Sequence, residues 1–264
     1  MSEKGNQAVK TVSFMMLITL FGKILGMVRE QLLAANYGTD MQAAAFLLAS
    51  RIPRTFFDVI FASAISASFI PVFVEYLQKK GRKEAFSLAN RFITMISTVT
   101  LLMMLLGMAF AKPLTLLIAP GYDVETVTLC VGLLADAFPD DCSLRRLPFS
   151  FVGILQSLEE FNMPAALSVV SNGVLILYYI FFNEKFGILG LTVAFLIGWA
   201  MQAVIQIPSL WKKGYHYRPD FHFKDEGLRK IGRLMLPVMV STWIQPINFM
   251  VNTRFASRLS GAVR

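Results

Sequence analysis

The chain alternates long apolar runs with short polar segments, and the repeat length is that of a lipid bilayer. Apolar stretches occupy about residues 11–37, 41–74, 92–118, 124–158, 164–183, 187–210 and 231–253. At 1.5 Å per residue, about 20 apolar residues carry a helix across a hydrocarbon layer of ~30 Å. The pattern therefore predicts an all-α, polytopic transmembrane bundle of about seven spans. The second run is longer than one span needs, and Pro53 in RIPR is expected to kink or interrupt it. The first run is expected to be a retained helix. The leader MSEKGNQAVK is too long and polar for a signal peptide, and no small-residue cleavage site follows.

Charges between the runs set the expected orientation. Lys4 and Lys10 precede the first span. Residues 38–40, between spans one and two, carry no base. Lys79, Lys80, Arg82, Lys83 and Arg91 follow span two. The next loop sets Lys112 against Asp123 and Glu125, and the loop after span five has only Lys185. Lys212, Lys213, Arg218, Lys224, Arg229 and Lys230 lie between spans six and seven. Positive charge alternates from side to side, which is expected to place the N-terminus in the cytoplasm. Arg254, Arg258 and Arg264 break this alternation mildly after span seven.

Composition agrees with this picture. The 264 residues are 55% hydrophobic and 16% charged, with a mean hydropathy of +0.57. Too few polar residues are available to coat a soluble domain of this size. A cytosolic enzyme, a disordered chain and a collagen-like chain are excluded, and an outer-membrane barrel would look more hydrophilic on average. The net charge of +8 is expected to reflect cytoplasmic loops and not nucleic-acid binding. Cys130 and Cys142 make neither a disulfide framework nor a metal site.

Charged residues inside the apolar runs carry the candidate chemistry. Span one contains Lys23, Arg29 and Glu30, and span two contains Arg51, Arg54 and Asp58. Ionised groups at such depth normally face a bundle interior or a watery cavity. On a helix, Lys23 and Glu30 share a face, and Arg29 lies about 120° round from Lys23. Arg51, Arg54 and Asp58 fall in one arc, with Arg54 and Asp58 at i,i+4 spacing. Four cations against two carboxylates leave a net positive lining that suits a phosphate or pyrophosphate, which Arg can grip with paired hydrogen bonds. The competing reading is that these charges pair with one another or snorkel to an interface. Gly22 and Gly26 form a GxxxG pair, expected chiefly as a helix-packing face. The small residues of FASAISASF suggest tight packing or a cavity wall.

The fourth span departs from the rest. Asp136, Asp140, Asp141, Arg145 and Arg146 crowd its centre, each at an insertion cost of ~2.5–3.5 kcal/mol. Two readings stand: a charged lining, or a local frameshift over residues 135–147. Peptide mass and the nucleotide sequence of that stretch distinguish them. YLQKKGRKEAFSLANRF is basic and modestly amphipathic, and reads either as a segment lying against anionic lipid heads or as a solvated loop. His216 and His222 read as surface residues. There is no GxSxG, HExxH, Walker or CxxC motif, so no enzyme, metal or cofactor is expected.

The stretch GKILGMVREQLLAANYGTDMQAAAFLLASRIPRTFFDVIFASAISASFIPVFVEY resembles the start of the lipid II flippase (MurJ/MviN) family of the MOP exporter group. The shared pattern is a base, LG, R before an acid, an apolar run with a Pro, a small-residue run ending in FIP, and EY. APGY at 119–122, FVGILQSLEEFNMPA and PVMVSTWIQPINFMVNTRFAS resemble later family segments. The likeness covers nearly the whole chain. It implies an N-terminal six-helix lobe (1–212), a cytoplasmic linker (213–230) and a seventh span (231–264) of a 14-helix fold. It implies alternating-access export of undecaprenyl-pyrophosphate-linked peptidoglycan precursor (lipid II) across the inner membrane. Lys23 and Arg29 match two basic cavity positions, with Arg51 and Arg54 as further substrate-binding candidates and Gly26, Glu30 and Asp58 in support. Lys23 replaces a frequent Arg, an acidic position falls on Ala44, a basic position falls on Phe57, and a later cationic position lies past Arg264. The chain is thus expected to be a truncated copy. The alternatives are an exporter of another polyprenyl-linked glycan, a MATE-like drug exporter, and a non-transporting scaffold or degenerate fragment.

Overall fold

A computed structural model describes residues 3–38, 65–118, 124–244, 247–248 and 250–255. Among them the chain is helical and holds no strand. The expectations for Pro53, Arg51, Arg54, Asp58, Ala44 and Phe57 lie outside the described residues. Helix α1 spans Glu3–Tyr37 and ends at Gly38, whose φ of 57° is a left-handed value that glycine adopts without strain. A π turn over Ile65–Phe69 leads into α2, Ile70–Lys79. Helix α3 spans Arg82–Ala109, α4 Ala111–Ile118, α5 Val124–Ser157, α6 Asn162–Phe181, α7 Asn183–Lys212 and α8 Glu226–Thr242.

Four described helices are long and apolar enough to cross a membrane: Val9–Tyr37, Arg82–Ala109, Asn162–Phe181 and Gly190–Lys212. They fall on four of the expected spans, with altered boundaries. The run expected over 92–118 begins ten residues earlier and is broken between α3 and α4. Pro113 has no N–H to give the Ala109 carbonyl, so the helix cannot continue unchanged there. The run expected from 187 begins at Asn183 and is interrupted at Gly187, where φ 53° and ψ −147° are open only to glycine.

The chain divides into two compact units, residues 1–38 with 150–216, and 39–149 with 217–264. In the first, α1 packs on α6 and α6 packs on α7. Leu175, Tyr178, Tyr179, Leu191, Ala194 and Leu210 are buried. Leu177, Ile180, Phe181, Val193, Ile197 and Val204 stay exposed, as apolar residues facing acyl chains would. At one end, Tyr37 donates to the Asn183 side chain, and Asn183 Nδ2 donates to Asn36 Oδ1 at 2.8 Å.

In the second unit, α2 and the π turn pack against α3 and α8. Ala85, Leu88, Ala89, Phe92, Ile93 and Ile96 form a buried stripe along α3 at helical spacing. Phe69 stacks on Phe92 with centroids 4.5 Å apart. The tight packing expected of the small-residue run is visible at its end, where Ser68 and Phe69 are fully buried. Asp225 caps α8, accepting from Gly227 N at 2.7 Å and Leu228 N at 3.3 Å. Arg91 of α3 holds this corner. Its Nε meets Asp220 at 2.9 Å and its Nη1 meets Asp225. Glu75 likewise accepts from Lys79 at 3.0 Å and from Lys230. YLQKKGRKEAFSLANRF is therefore not a loop throughout. It is the end of α2, a turn at Gly81 with φ 85°, and the start of α3.

Candidate functional site

The candidate site grows from one face of α1. Gly22, Gly26 and Arg29 recur at four- and three-residue spacing and line one side of the helix. That side meets α6. Gly22 is buried, and a methyl group placed on it would overlap the Ser168 hydroxyl. A methyl on Gly26 would stand 3.4 Å from Asn172 Nδ2. The GxxxG pair is thus a packing face, and the absence of side chains there lets the two backbones approach closely.

Close approach delivers Arg29 to Asn172. Asn172 is 6% exposed. Its Nδ2 donates to the Gly22 carbonyl at 3.0 Å, and its Oδ1 accepts from Arg29 Nη1 at 3.0 Å. The amide is tied at both ends, so it fixes the guanidinium relative to α1's own backbone. Arg29 Nη2 also pairs with Glu30. The Arg29 side chain is 21% exposed and that of Glu30 56%, so the carboxylate keeps much of its contact with solvent space while the cation is partly sheltered.

Lys23 stands differently. It lies about 100° round the helix from Gly22, off the face that packs on α6, and is exposed. Glu30 shares its face. Lys23 is also the central residue of the spanning segment Val9–Tyr37. A lysine at mid-span facing hydrocarbon would cost several kcal/mol, roughly 2.5–3.5 on insertion scales. That cost is avoided where the open face of α1 borders a polar space.

Of the residues singled out in the sequence, the structure joins Arg29 to Glu30 and sets Gly22 and Gly26 against α6, while Lys23 stands apart on the open face. Asn172 escaped the sequence reading. Its one available signal is a buried amide in an apolar run, which carries no ligand chemistry by itself. His222 is a surface residue, 88% exposed, with Nδ1 2.6 Å from Asp220. His216 stacks on Trp211. Residues 135–147 continue the α5 helix.

Several apolar spanning helices, an arginine ordered by a buried amide and a lysine at mid-span define a multi-pass α-helical membrane protein. The profile of the family described as "Lipid II flippase MurJ" matches residues 33–263. The chain belongs to that family. It is 31% identical over 252 residues to the "Probable lipid II flippase MurJ" of Buchnera aphidicola, covering 94% of this chain and 49% of the relative. It is 24% identical to the "Lipid II flippase MurJ" of Burkholderia cenocepacia, covering 93% of this chain and 49% of that one. The chain spans about half the length of the curated relatives it matches. A solved lipid II flippase MurJ in an inward closed conformation superposes with a TM-score of 0.75 at 24% identity, covering 92% of this chain and 50% of that chain. A Vibrio cholerae MATE transporter, VcmN, does so with a TM-score of 0.72 at 19% identity, covering 94% and 57%. These likenesses carry the fold, a helical bundle like those of the two solved transporters.

Proposed function

We propose that the chain supplies the N-terminal lobe (1–212), the linker (213–230) and the seventh span (231–264) of a lipid II flippase. In this reading it moves an undecaprenyl-pyrophosphate-linked precursor across the bacterial inner membrane, with its N-terminus in the cytoplasm. Lys23, Arg29, Arg51 and Arg54 contact the pyrophosphate, and Glu30 and Asp58 tune their charge. No bond is made or broken. The cations lower the cost of carrying a charged head through a low-dielectric layer, and alternating access requires two lobes rocking about the shared site.

The observation that carries this reading is Arg29, held on α6 by Asn172, together with a mid-span lysine about 120° round the same helix on its open face. Membership of the flippase family supports the substrate class. Net positive charge argues against a cation exporter of the MATE type, whose cavity would need the opposite sign, and leaves another polyprenyl-linked anion as the second reading.

The test places Ala at the positions matching Lys23 and Arg29 in a full-length relative and measures precursor export in cells that depend on it. Each change is expected to reduce export at least about tenfold, on the order of 1.4 kcal/mol. Unchanged export in both variants would defeat the proposal. Loss of lipid II export with retained export of a different polyprenyl-linked glycan would favour the second reading.

A further inference from the structure

The segment joining α7 to α8 is pinned to one level of α3. Arg218 N donates to Asn90 Oδ1 at 3.3 Å, Asp220 N donates to Thr94 Oγ1 at 3.1 Å, and the Tyr217 and Thr94 hydroxyls lie 3.2 Å apart. Arg91 adds its pairs to Asp220 and Asp225. That level is where α3 changes character. Arg82 to Arg91 carries three bases and one carboxylate, Glu84, and from Phe92 the helix is apolar to its end apart from Ser97 and three threonines, Thr94, Thr98 and Thr100, that turn back onto its own carbonyls. Helix α3 has 28 residues, and about 20 suffice to cross the hydrocarbon, so its charged first turns project past the membrane boundary. The segment is therefore fastened at that boundary.

What it displays there is aromatic and basic. Phe221 is 68% and Phe223 42% exposed, with ring centroids 6.1 Å apart. Lys224, Arg229 and Lys230 are exposed beside them, as are Lys79, Lys80, Arg82 and Lys83 on the α2–α3 turn. The two groups of bases form one surface, because Glu75 bridges Lys79 and Lys230. The carboxylates of this surface are Glu75, Glu84, Asp220, Asp225 and Glu226, of which Glu75, Asp220 and Asp225 are engaged with Lys79, Lys230 and Arg91; against Lys79, Lys80, Arg82, Lys83, Arg91, Arg218, Lys224, Arg229 and Lys230 they leave an excess of cations.

We propose that residues 217–224 are an interfacial anchor. Phe221 and Phe223 lie among the headgroups of an acidic phospholipid leaflet, and Lys83, Lys224 and Arg229 contact its phosphates. Aromatic rings settle at the water–hydrocarbon boundary, and basic side chains beside them bind an anionic leaflet within a Debye length. Because Arg91 ties this segment to α3 and caps α8 through Asp225, the anchor would set the depth at which α8 enters the bilayer. The inference is independent of the transported substrate.

The test uses the whole 264-residue chain carrying Phe221→Trp, with Phe223→Trp as a second reporter. The protein is reconstituted into vesicles of phosphatidylcholine alone or with one part in three phosphatidylglycerol. Emission is read as the difference from the unsubstituted chain, whose three tryptophans supply the background. The expected result is blue-shifted emission, quenched by lipids brominated near the top of the acyl chain, with quenching that rises with phosphatidylglycerol and falls in molar salt. Lys83→Gln, Lys224→Gln and Arg229→Gln should each weaken the anionic preference roughly fivefold, with helical content unchanged. Water-like emission without quenching in every vesicle overturns the proposal, as does quenching of equal strength in neutral and anionic vesicles.

Discussion

Two arginines, one in each compact unit, show how similar side chains are put to different use. Arg91 faces two carboxylates, Asp220 and Asp225, and both are tied further, Asp225 to the first amides of α8 and Asp220 to His222. Its charge is fully answered. Arg29 has one carboxylate, Glu30, which is 56% exposed, and a neutral amide, Asn172, that orients it without cancelling its charge. An arginine met by two fixed carboxylates staples elements together. An arginine held by a neutral amide and one half-exposed carboxylate is oriented with less of its charge answered.

The sharpest way to break this contrast is to remove the staple. Arg91→Ala leaves Asp220 and Asp225 facing each other without their cation and should cost about 2–4 kcal/mol of stability. It should be read as a lowered thermal midpoint, together with faster proteolysis after residue 217. Asp225→Ala should approach that loss, because it removes the α8 cap as well, worth about 1 kcal/mol. If Arg91→Ala unfolds no earlier than the parent while Arg29→Ala does, the division of roles is reversed.

Next in size is the packing that delivers Arg29. Gly22→Ala must displace Ser168 and should destabilise the α1–α6 pair by about 1–3 kcal/mol. Gly26→Ala, which only touches Asn172 at 3.4 Å, should cost less. Adding Ser168→Gly should restore most of the Gly22→Ala loss, and a double-mutant cycle measures this directly. Equal losses at the two glycines would show that the contact with Ser168 is not the controlling one.

Asn172→Ala should cost about 1 kcal/mol of stability through its lost hydrogen bonds, yet reduce precursor export in a full-length relative about as much as loss of Arg29. A stability loss with full export would make Asn172 a packing residue only.

The smallest effect is the response to acid. The Lys230 and Lys79 ammoniums hold the Glu75 carboxyl down from 4.5 to about 2. Its hydrogen bond to His222, with Arg91 beside it, holds Asp220 below the ordinary carboxylate range. A depressed carboxylate stabilises the fold above its unfolded value and loses that contribution as the pH falls through its folded value. Glu75's share is therefore constant above about pH 5 and fades between about 4.5 and 2. The thermal midpoint, followed from pH 7 to 3, should decline less in Glu75→Gln than in the parent, and parallel curves would remove Glu75 from the account.

Much of the architecture was legible as pattern. Long apolar runs had to become spanning helices, because a bilayer offers no other partner for backbone amides. The spacing of Gly22 and Gly26 announced a packing face before its partner was known. The depth of Lys23 and Arg29 followed from counting residues. Breaks at Phe110 and Gly187 were harder to see, since Pro113 lies three residues past one break and the left-handed backbone at the other is a conformation glycine permits without requiring.

What only the tertiary structure decided is partnership. Nothing in an apolar run marks Asn172 as the residue that meets Arg29, 143 positions away in the chain, or Asp220 and Asp225 as the partners of Arg91. Periodicity is local and one-dimensional, so it reports which side of a helix is polar. Hydrogen bonds and ion pairs act over about 3 Å, so they depend on which helices are neighbours, and that is settled by packing across the whole fold.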